Sequence, residues 1–178
     1  QALRSLDGVR YAHPNYIMYP AFEPNDTLWN QQYGPQIVEA PTAWDTTVGS
    51  GSVLVAVADT GINFTHEDLQ DAIWTNPGEI PGNGVDDDGN GYIDDVHGWD
   101  CINDDNNPND TNGHGSHVSG ILGARMNNAK GIAGMAQVTI VPLQVFTPGG
   151  TWEAITEAVY YATDNGCKAL NYSGGGYG

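Results

Sequence analysis

The chain has 178 residues and a formal net charge of −17, from 22 Asp and Glu against five Lys and Arg. A field of this sign repels nucleic acids and anionic membrane surfaces, and no basic stripe offsets it, so the composition excludes both as partners. The sequence has no run of eighteen or more apolar residues, which excludes a membrane-spanning helix. Hydrophobic residues make up 39% of the chain, enough to bury the core of one domain or of a large piece of one.

The predicted elements alternate between strands and helices. In chain order, apolar runs and helical spacings predict a strand over 52–58, a helix over 113–126, a strand over 138–146, a helix over 151–165 and a strand over 168–173. This alternation favours right-handed crossovers, and so an α/β fold with a mostly parallel sheet and helices on both faces. The first twenty or so residues do not follow the pattern and are predicted to form an extended appendage.

Two cysteines, Cys101 and Cys167, are too few for a disulfide framework, and their spacing does not suit a metal knuckle. The prediction is two buried thiols, with a single disulfide as the alternative.

Asp59 ends the first predicted strand and is followed by Thr60 and Gly61. The carboxyl ends of strands in an open α/β sheet face the ligand crevice, which favours a functional acid here. An Asp before a Gly is also an ordinary turn signal. Position alone leaves both interpretations open.

His114 lies between two glycines and leads into the second predicted element, a helix. Small neighbours let a second group approach the imidazole closely. A zinc site shared with His117 is the alternative, but Gly115 stands where the H-E-x-x-H motif has its glutamate. The pattern therefore disfavours a zinc site.

The segments 58–61 and 114–118 together resemble the subtilisin-like serine proteases, the subtilases of peptidase family S8, and most resemble the thermitase-like branch. Shorter similarities follow in order from about Phe22 to the last residue, at 32–36, 40–45, 66–69, 131–136 and 171–176. The resemblance implies a subtilisin-like three-layer α/β sandwich, present in part.

The resemblance also implies an Asp-His-Ser triad, with Asp59 as the acid that orients the imidazole and His114 as the base. The family's serine segment is not found in the 178 residues, so we expect an N-terminal fragment that is inactive alone. Ser173 is a poor nucleophile candidate because it lacks the first glycine of a G-x-S-x-G elbow. The residues implied to bind an extended substrate are Ser173, Gly174, Gly175 and Gly149, with Gly174 replacing a larger apolar residue.

By the same resemblance, residues 1–21 are the tail of an inhibitory propeptide and 22–178 the first portion of the catalytic domain. The implied activity is that of a secreted, calcium-stabilised serine endopeptidase, made as a zymogen, whose partners are polypeptide substrates and its own propeptide. A calcium-binding module without catalysis is the alternative. A G-T-S type segment further along the reading frame would distinguish the two.

Fourteen of the 22 acidic residues lie between Asp59 and Asp110, among many Asn and Gly. Oxygen side chains at short spacing on irregular backbone are ligands for a hard cation such as Ca²⁺. One candidate set is Asp100, Asn103, Asp105, Asn107 and Asn109, which also matches a calcium loop of the thermitase-like enzymes. A solvated Asn/Asp turn is the alternative.

A second set follows the opening of an EF-hand loop: Asp86, Asp88 and Asn90 at the odd positions, Gly91 at the turn, and Tyr92 through its carbonyl. His97 replaces the bidentate glutamate at the twelfth position, so we expect weaker binding, or a last ligand from Asp94 or Asp95. A third, discontinuous set is given by the resemblance alone and comprises Asp26, Asp68, Asn128 and the carbonyls of Arg125, Lys130 and Ile132.

Overall fold

The computed structural model describes residues 22–175. The predicted propeptide tail, 1–21, lies outside the described residues, as do 176–178. The helices and strands, in chain order, are α1 (Tyr33–Ile37), α2 (Ala40–Trp44), β1 (Leu54–Asp59), β2 (Trp99–Asp100), α3 (His114–Gly123), β3 (Thr139–Gln144), α4 (Trp152–Asp164) and β4 (Ala169–Tyr172).

The four strands form one parallel sheet in the order β2-β3-β1-β4. Because side chains alternate along a strand, β1 supplies both faces of the sheet. Ala56 and Ala58 pack in the cluster that contains Ala158 and Tyr161 of α4, whereas Val57 packs in the cluster on the α3 side. The α/β architecture with helices on both faces, as predicted, is confirmed.

The predicted elements are present, but their ends differ from the prediction. The helix predicted over 113–126 is α3, and it ends at Gly123 rather than at residue 126. After it the chain doubles back, since Gly134 N–H donates to Ala124 O and a Cβ at Gly134 would lie 2.4 Å from Ala124 N. The sequence pattern did not predict β2, α1 or α2, all of which have five residues or fewer.

The segment before β1 attaches to the body through aromatic side chains. Trp29 and Trp44 are buried with Ala133 in a cluster of their own, and their ring centroids lie 5.5 Å apart. The indole N–H of Trp44 donates to Met135 O at 3.0 Å. This contact joins the N-terminal segment to the chain that follows α3.

Cys101 and Cys167 are free thiols; Cys101 is buried in the α4-side core as predicted, whereas Cys167 packs against it and is only partly buried. Burial raises the pKa of the Cys101 thiol, and it raises that of Cys167 to about 11. In the part of the chain that the structure describes, no helix is both long and apolar enough to span a bilayer.

Candidate active site

The carboxyl end of β1 and the first turn of α3 bring Asp59 and His114 together. Asp59 is fully buried, and its Oδ1 lies 2.7 Å from His114 Nδ1. A carboxylate only accepts, so Nδ1 carries the proton and Nε2 keeps its lone pair. About half of the His114 side chain is exposed, which leaves Nε2 able to accept a proton from a second group. The same Asp59 oxygen also accepts from Thr60 N–H at 2.7 Å.

Two glycines allow α3 to lie this close to the end of β1. A Cβ at Gly115 would lie 2.1 Å from Gly61 O, a distance that real atoms do not reach. Gly61 itself has φ +95°, and a Cβ there would lie 2.3 Å from Pro108 O. The spacing between His114 and Asp59 therefore depends on the absence of side chains at both positions.

Asp110 connects the two segments that carry the pair, although the sequence patterns did not single it out. Its Oδ1 accepts from Thr60 Oγ1 at 3.0 Å, and its Oδ2 accepts from the Ser116 hydroxyl at 2.6 Å and the Ser116 N–H at 2.9 Å. The backbone N–H groups of Asn112 and Gly113 donate to Oδ1 as well. Burial acts to raise the pKa of Asp110, but these hydrogen bonds outweigh it and hold the pKa below its ordinary value.

An Asp four residues before a helix start, followed by Thr-Asn-Gly, is a side-chain turn signal that could have identified Asp110. Its partner Thr60 completes the connection, because Thr60 Oγ1 accepts from Gly115 N–H at 2.8 Å. The end of β1 and the start of α3 are thus joined both through Asp110 and directly.

A groove of about 940 Å³ lies between the loop after β3 and the end of β4. It contains three of the four residues predicted to bind substrate, Gly149, Gly174 and Gly175. Ser173, the fourth, does not line the groove, and its Oγ accepts from Asn171 Nδ2 at 2.8 Å. The other large side chains in the lining are Phe146, Trp152, Ile155 and Tyr172.

The structure gives a physical reason for the small residue at Gly174. The rings of Phe146 and Tyr172 lie 5.6 Å apart at the end of the sheet, and a Cβ at Gly174 would approach the tip of the Phe146 ring to 2.3 Å. The Phe146 ring therefore occupies space that a larger residue at position 174 would need.

A smaller cavity of about 210 Å³ lies between the candidate pair and the groove. Thr60, Thr111 and Asn112 line it from the His114 side, and Phe146 and Pro148 line it from the groove side. The surface beside His114 thus leads into the groove.

Part of the EF-hand-like set comes together, with one additional acid. Glu79, Asp86 and Asp88 place one carboxylate oxygen each within 4.8 Å of the others. Asn90 lies beside them, because its Nδ2 donates to Asp88 Oδ2 at 3.3 Å. Asp94 turns away from this group, since its carboxylate accepts from the backbone N–H groups of 82–84.

Glu79 was missed by sequence analysis because it lies outside the loop motif. Its Oε1 accepts from the N–H groups of Asp87 and Asp88, and its Oε2 accepts from Asp94 N–H. Tyr92, predicted to contribute a carbonyl, directs its ring against Trp99 and Tyr161 at 5.0 and 4.8 Å.

The set that begins at Asp100 makes contacts among its own members, and the backbones of Asp100 and Asp105 pair with each other. The Asp100 carboxylate is buried and accepts from Asn103 Nδ2 at 2.7 Å and Asn103 N at 3.0 Å. Asp105 accepts from Asn107 N. Asn109 pairs with Ile62 through a backbone bridge.

The discontinuous set is brought to one place. Asn128 contacts both acids, through Nδ2 to Asp68 Oδ1 at 2.7 Å and through its backbone N to Asp26 Oδ1 at 3.5 Å. Asp68 and Asp26 are buried. The three residues predicted to offer carbonyls also lie here, since the N–H groups of Arg125, Ile132 and Lys130 donate to Asp68 O, Asp68 Oδ2 and Asn128 Oδ1.

His117 does not join His114 in a shared site. It lines a separate cavity of about 600 Å³ together with His66 and Asp68, and His114 is not part of that lining. His114 instead directs Nδ1 to Asp59. The arrangement does not favour the zinc alternative.

Comparison with known proteins places the chain in a family. The profile of the subtilase family, peptidase S8, matches residues 50–177, and the chain belongs to this family. Two of its relatives place it on the thermitase-like branch: a thermophilic serine proteinase of Bacillus sp. strain AK1, 38% identical over 97% of this chain and 39% of that protein, and thermitase of Thermoactinomyces vulgaris, 37% identical over 87% of this chain and 49% of that protein.

A halolysin-like extracellular serine protease of Natrialba magadii is 30% identical over 94% of this chain and 29% of that protein. Among solved structures, a protease of Pseudoalteromonas arctica superimposes with a TM-score of 0.63 at 29% identity, over 86% of this chain and 51% of the other. Fervidolysin of Fervidobacterium pennivorans, a keratinolytic enzyme, superimposes with a TM-score of 0.59 at 26% identity, over 86% of this chain and 22% of the other. The chain spans at most about half the length of these relatives.

Proposed function

We propose that the protein is a serine endopeptidase in which Asp59 and His114 are two members of the catalytic triad. The observation that carries the proposal is the 2.7 Å contact between Asp59 Oδ1 and His114 Nδ1 at the carboxyl edge of the sheet. With Nδ1–H held by the carboxylate, Nε2 takes the proton from a serine hydroxyl as that oxygen attacks the peptide carbonyl. Asp59 then stabilises the imidazolium without itself becoming protonated.

The serine is proposed to come from a segment outside residues 1–178. The groove lined by Gly149, Gly174 and Gly175 would hold an extended polypeptide on the route to His114. Backbone groups of glycines at a groove wall can approach a peptide main chain without hindrance from side chains.

The experiment that tests this proposal is covalent labelling of the full-length protein with a serine-directed phosphonate. We expect stoichiometric labelling that parallels the loss of peptide hydrolysis, and at least about a 10⁴-fold loss of turnover in His114→Ala. A His117→Ala variant is the matched control and should keep most of the activity. Hydrolysis that persists after labelling, or in His114→Ala, would contradict the assignment, and so would a protein that binds calcium without hydrolysing peptides.

Calcium is proposed as a stabilising ligand. The donor set of Glu79, Asp86 and Asp88 fits the ion because carboxylate oxygens are the ligands that Ca²⁺ prefers. Among the described residues no Lys or Arg forms an ion pair with these acids. Bound calcium would supply the positive charge that holds the acids together. The set around Asp26, Asp68 and Asn128 is proposed as a second site on the same chemistry.

We also propose that residues 1–21 are the end of a propeptide that inhibits the enzyme until it is cut. Secretion is supported by the extracellular relative from Natrialba magadii. In the full-length protein, His114→Ala should stop self-cleavage between Tyr19 and Glu23, as seen by N-terminal sequencing. Normal processing in that variant would count against the assigned base.

A further inference from the structure

The outer surface of α4 carries a second concave site beside the groove. Trp152, Thr156 and Tyr160 lie four residues apart on one face of the helix, and Trp152 and Tyr160 are 83% and 65% exposed. Such exposure is unusual for aromatic side chains, which are normally well buried in folded proteins. Together with Glu153, Glu157 and Tyr92 they line a cavity of about 450 Å³, which we call the α4 basin.

The charge of the α4 basin is entirely negative. Glu153 and Glu157 lie in the lining, and Asp104 and Asp164 face Tyr92 from outside it. Burial and then Asp104 raise the pKa of Glu157, which shows that its carboxylate is partly desolvated beside another acid. The cations of residues 22–175 are Arg125, Lys130 and Lys168, and none of them lines the basin.

Aromatic faces combined with carboxylates are the chemistry that selects an organic cation. A guanidinium stacks on Trp and Tyr rings and pairs with a carboxylate in a planar, two-bond arrangement. An ammonium makes the same cation–π contact but pairs only as a point charge. Arginine therefore suits this lining better than lysine, and an anionic or purely apolar ligand suits it poorly.

The α4 basin is continuous with the proposed substrate groove. Trp152 and Glu153 line both cavities, so a ligand that leaves the groove over the start of α4 reaches the basin directly. Tyr92 fixes the far wall, since its ring is held against Trp99 and Tyr161.

We propose that the α4 basin binds a basic side chain, arginine above all, of a polypeptide whose neighbouring residues lie in the groove. The polypeptide part of this inference rests on the proposed endopeptidase function. The basin then acts as a specificity site apart from the catalytic pair. It favours substrates whose basic residue reaches the basin while the neighbouring residues lie in the groove.

The test compares two blocked hexapeptides that are identical except at one position, where one has arginine and the other has citrulline. Citrulline has nearly the same shape as arginine but carries no charge. Binding is measured at low salt by titration of the full-length His114→Ala protein, which cannot cleave the peptides, after the active enzyme has removed its residues 1–21 in trans. We expect the arginine peptide to bind roughly tenfold more tightly, as the sum of a cation–π contact and a partly exposed ion pair. The signals of the Trp152 indole and of the Gly149 and Gly175 amides should shift together.

Glu157→Gln and Tyr160→Ala should each reduce the preference for arginine to less than about threefold. Both positions lie on a helix surface, and unchanged far-UV circular dichroism will verify folding. Glu67→Gln is the matched control, because Glu67 is exposed and its substitution removes the same charge at a position outside α4. It should leave the preference intact.

Equal affinity for the two peptides, no binding of either, or a preference that survives in both α4 variants would overturn the proposal. An equal loss of preference in Glu67→Gln would do the same, since it would indicate a general charge effect. Shifts confined to Trp152 would refute the polypeptide part. Phosphonate labelling is measured separately, so an intact arginine preference without labelling overturns the endopeptidase function and leaves the cation site standing.

Discussion

Thr60 Oγ1 donates to Asp110 Oδ1 at 3.0 Å, and this contact joins the residue after Asp59 to the loop that begins α3. Since Asp110 also accepts from Ser116, a single carboxylate fixes both chain segments that carry the candidate catalytic pair. The position of His114 relative to Asp59 therefore depends on a residue that touches neither.

We expect Asp110→Asn to destabilise the fold and to lower activity. The amide keeps one acceptor but directs an NH₂ at existing donors, at a cost of about 2 kcal/mol, or roughly 4–8 °C in Tm for a chain of this size. Thermal unfolding and kcat measured on the same sample will check this. Thr60→Val removes only the link between the segments, so we expect it to lower kcat clearly while it lowers Tm less than Asp110→Asn does. Wild-type kcat in both variants would disprove the positioning role.

The same carboxylate should contribute to acid sensitivity. The pKa of Asp110 is lower in the folded chain than its ordinary value, because hydrogen bonds from Ser116 and Gly113 outweigh the opposing effect of burial. Its contribution to stability is therefore present above the unfolded-state pKa, about 3.9, and is lost as the pH falls through the folded-state value. Tm measured between pH 6 and pH 3 should fall less steeply in Asp110→Asn. Parallel curves would show that Asp110 does not contribute.

Gly115→Ala should separate the pair without changing either member. The added methyl would lie 2.1 Å from Gly61 O, so α3 must shift, and a displacement of about 1 Å can cost about a hundredfold in turnover. Gly120→Ala in the same helix is the matched control, because its nearest neighbour would lie at 3.6 Å and alanine favours the helix. Equal activity in the two variants would contradict the close-approach argument.

Tyr161→Phe tests the link between the acidic loop and α4. The Tyr161 hydroxyl donates to the fully buried Asp95 at 2.5 Å, and its removal should lower the unfolding free energy by about 1–2 kcal/mol. The adjacent Tyr160 is mostly exposed, so Tyr160→Phe should change it by less than about 0.5 kcal/mol. Denaturant unfolding of both variants decides the matter, and matching midpoints would count against a stabilising bond.

Removal of calcium should lower Tm and increase amide exchange in 79–95. Calcium at one hundred times its Kd stabilises a fold by about 2.7 kcal/mol relative to the free form. Glu79→Gln together with Asp88→Asn should remove the part of the Tm difference between calcium and EGTA that comes from this site and leave the part that comes from the second site, while Glu67→Gln should keep the whole difference. The same Tm in calcium and in EGTA for the parent protein would exclude a stabilising site.

The fold and the candidate pair Asp59 and His114 could be predicted because local patterns place them and because the resemblance to a family gives them a role. The run that ends at Asp59 and the glycines around His114 are local patterns, and parallel strands place such residues at one edge. Glu79 could not be predicted in the same way, since its role arises from backbone donors that converge only in the folded chain. Asp110 has a local turn signal, but its bond to Thr60 joins residues that are far apart in the sequence. Asp94 shows the opposite error, because it fits the loop pattern while its carboxylate serves a neighbouring turn.

The bond between Tyr161 and Asp95 also limits how the acidic loop over 79–95 could be transferred to another protein. If the loop were moved without Tyr161, the Asp95 carboxylate would be buried without its hydroxyl donor. The Tyr161 hydroxyl that stayed behind would be buried without its acceptor. A successful graft must move the tyrosine and the loop as a single cassette. Their inheritance should likewise be coupled, so that the loss of one in a lineage accompanies the loss of the other.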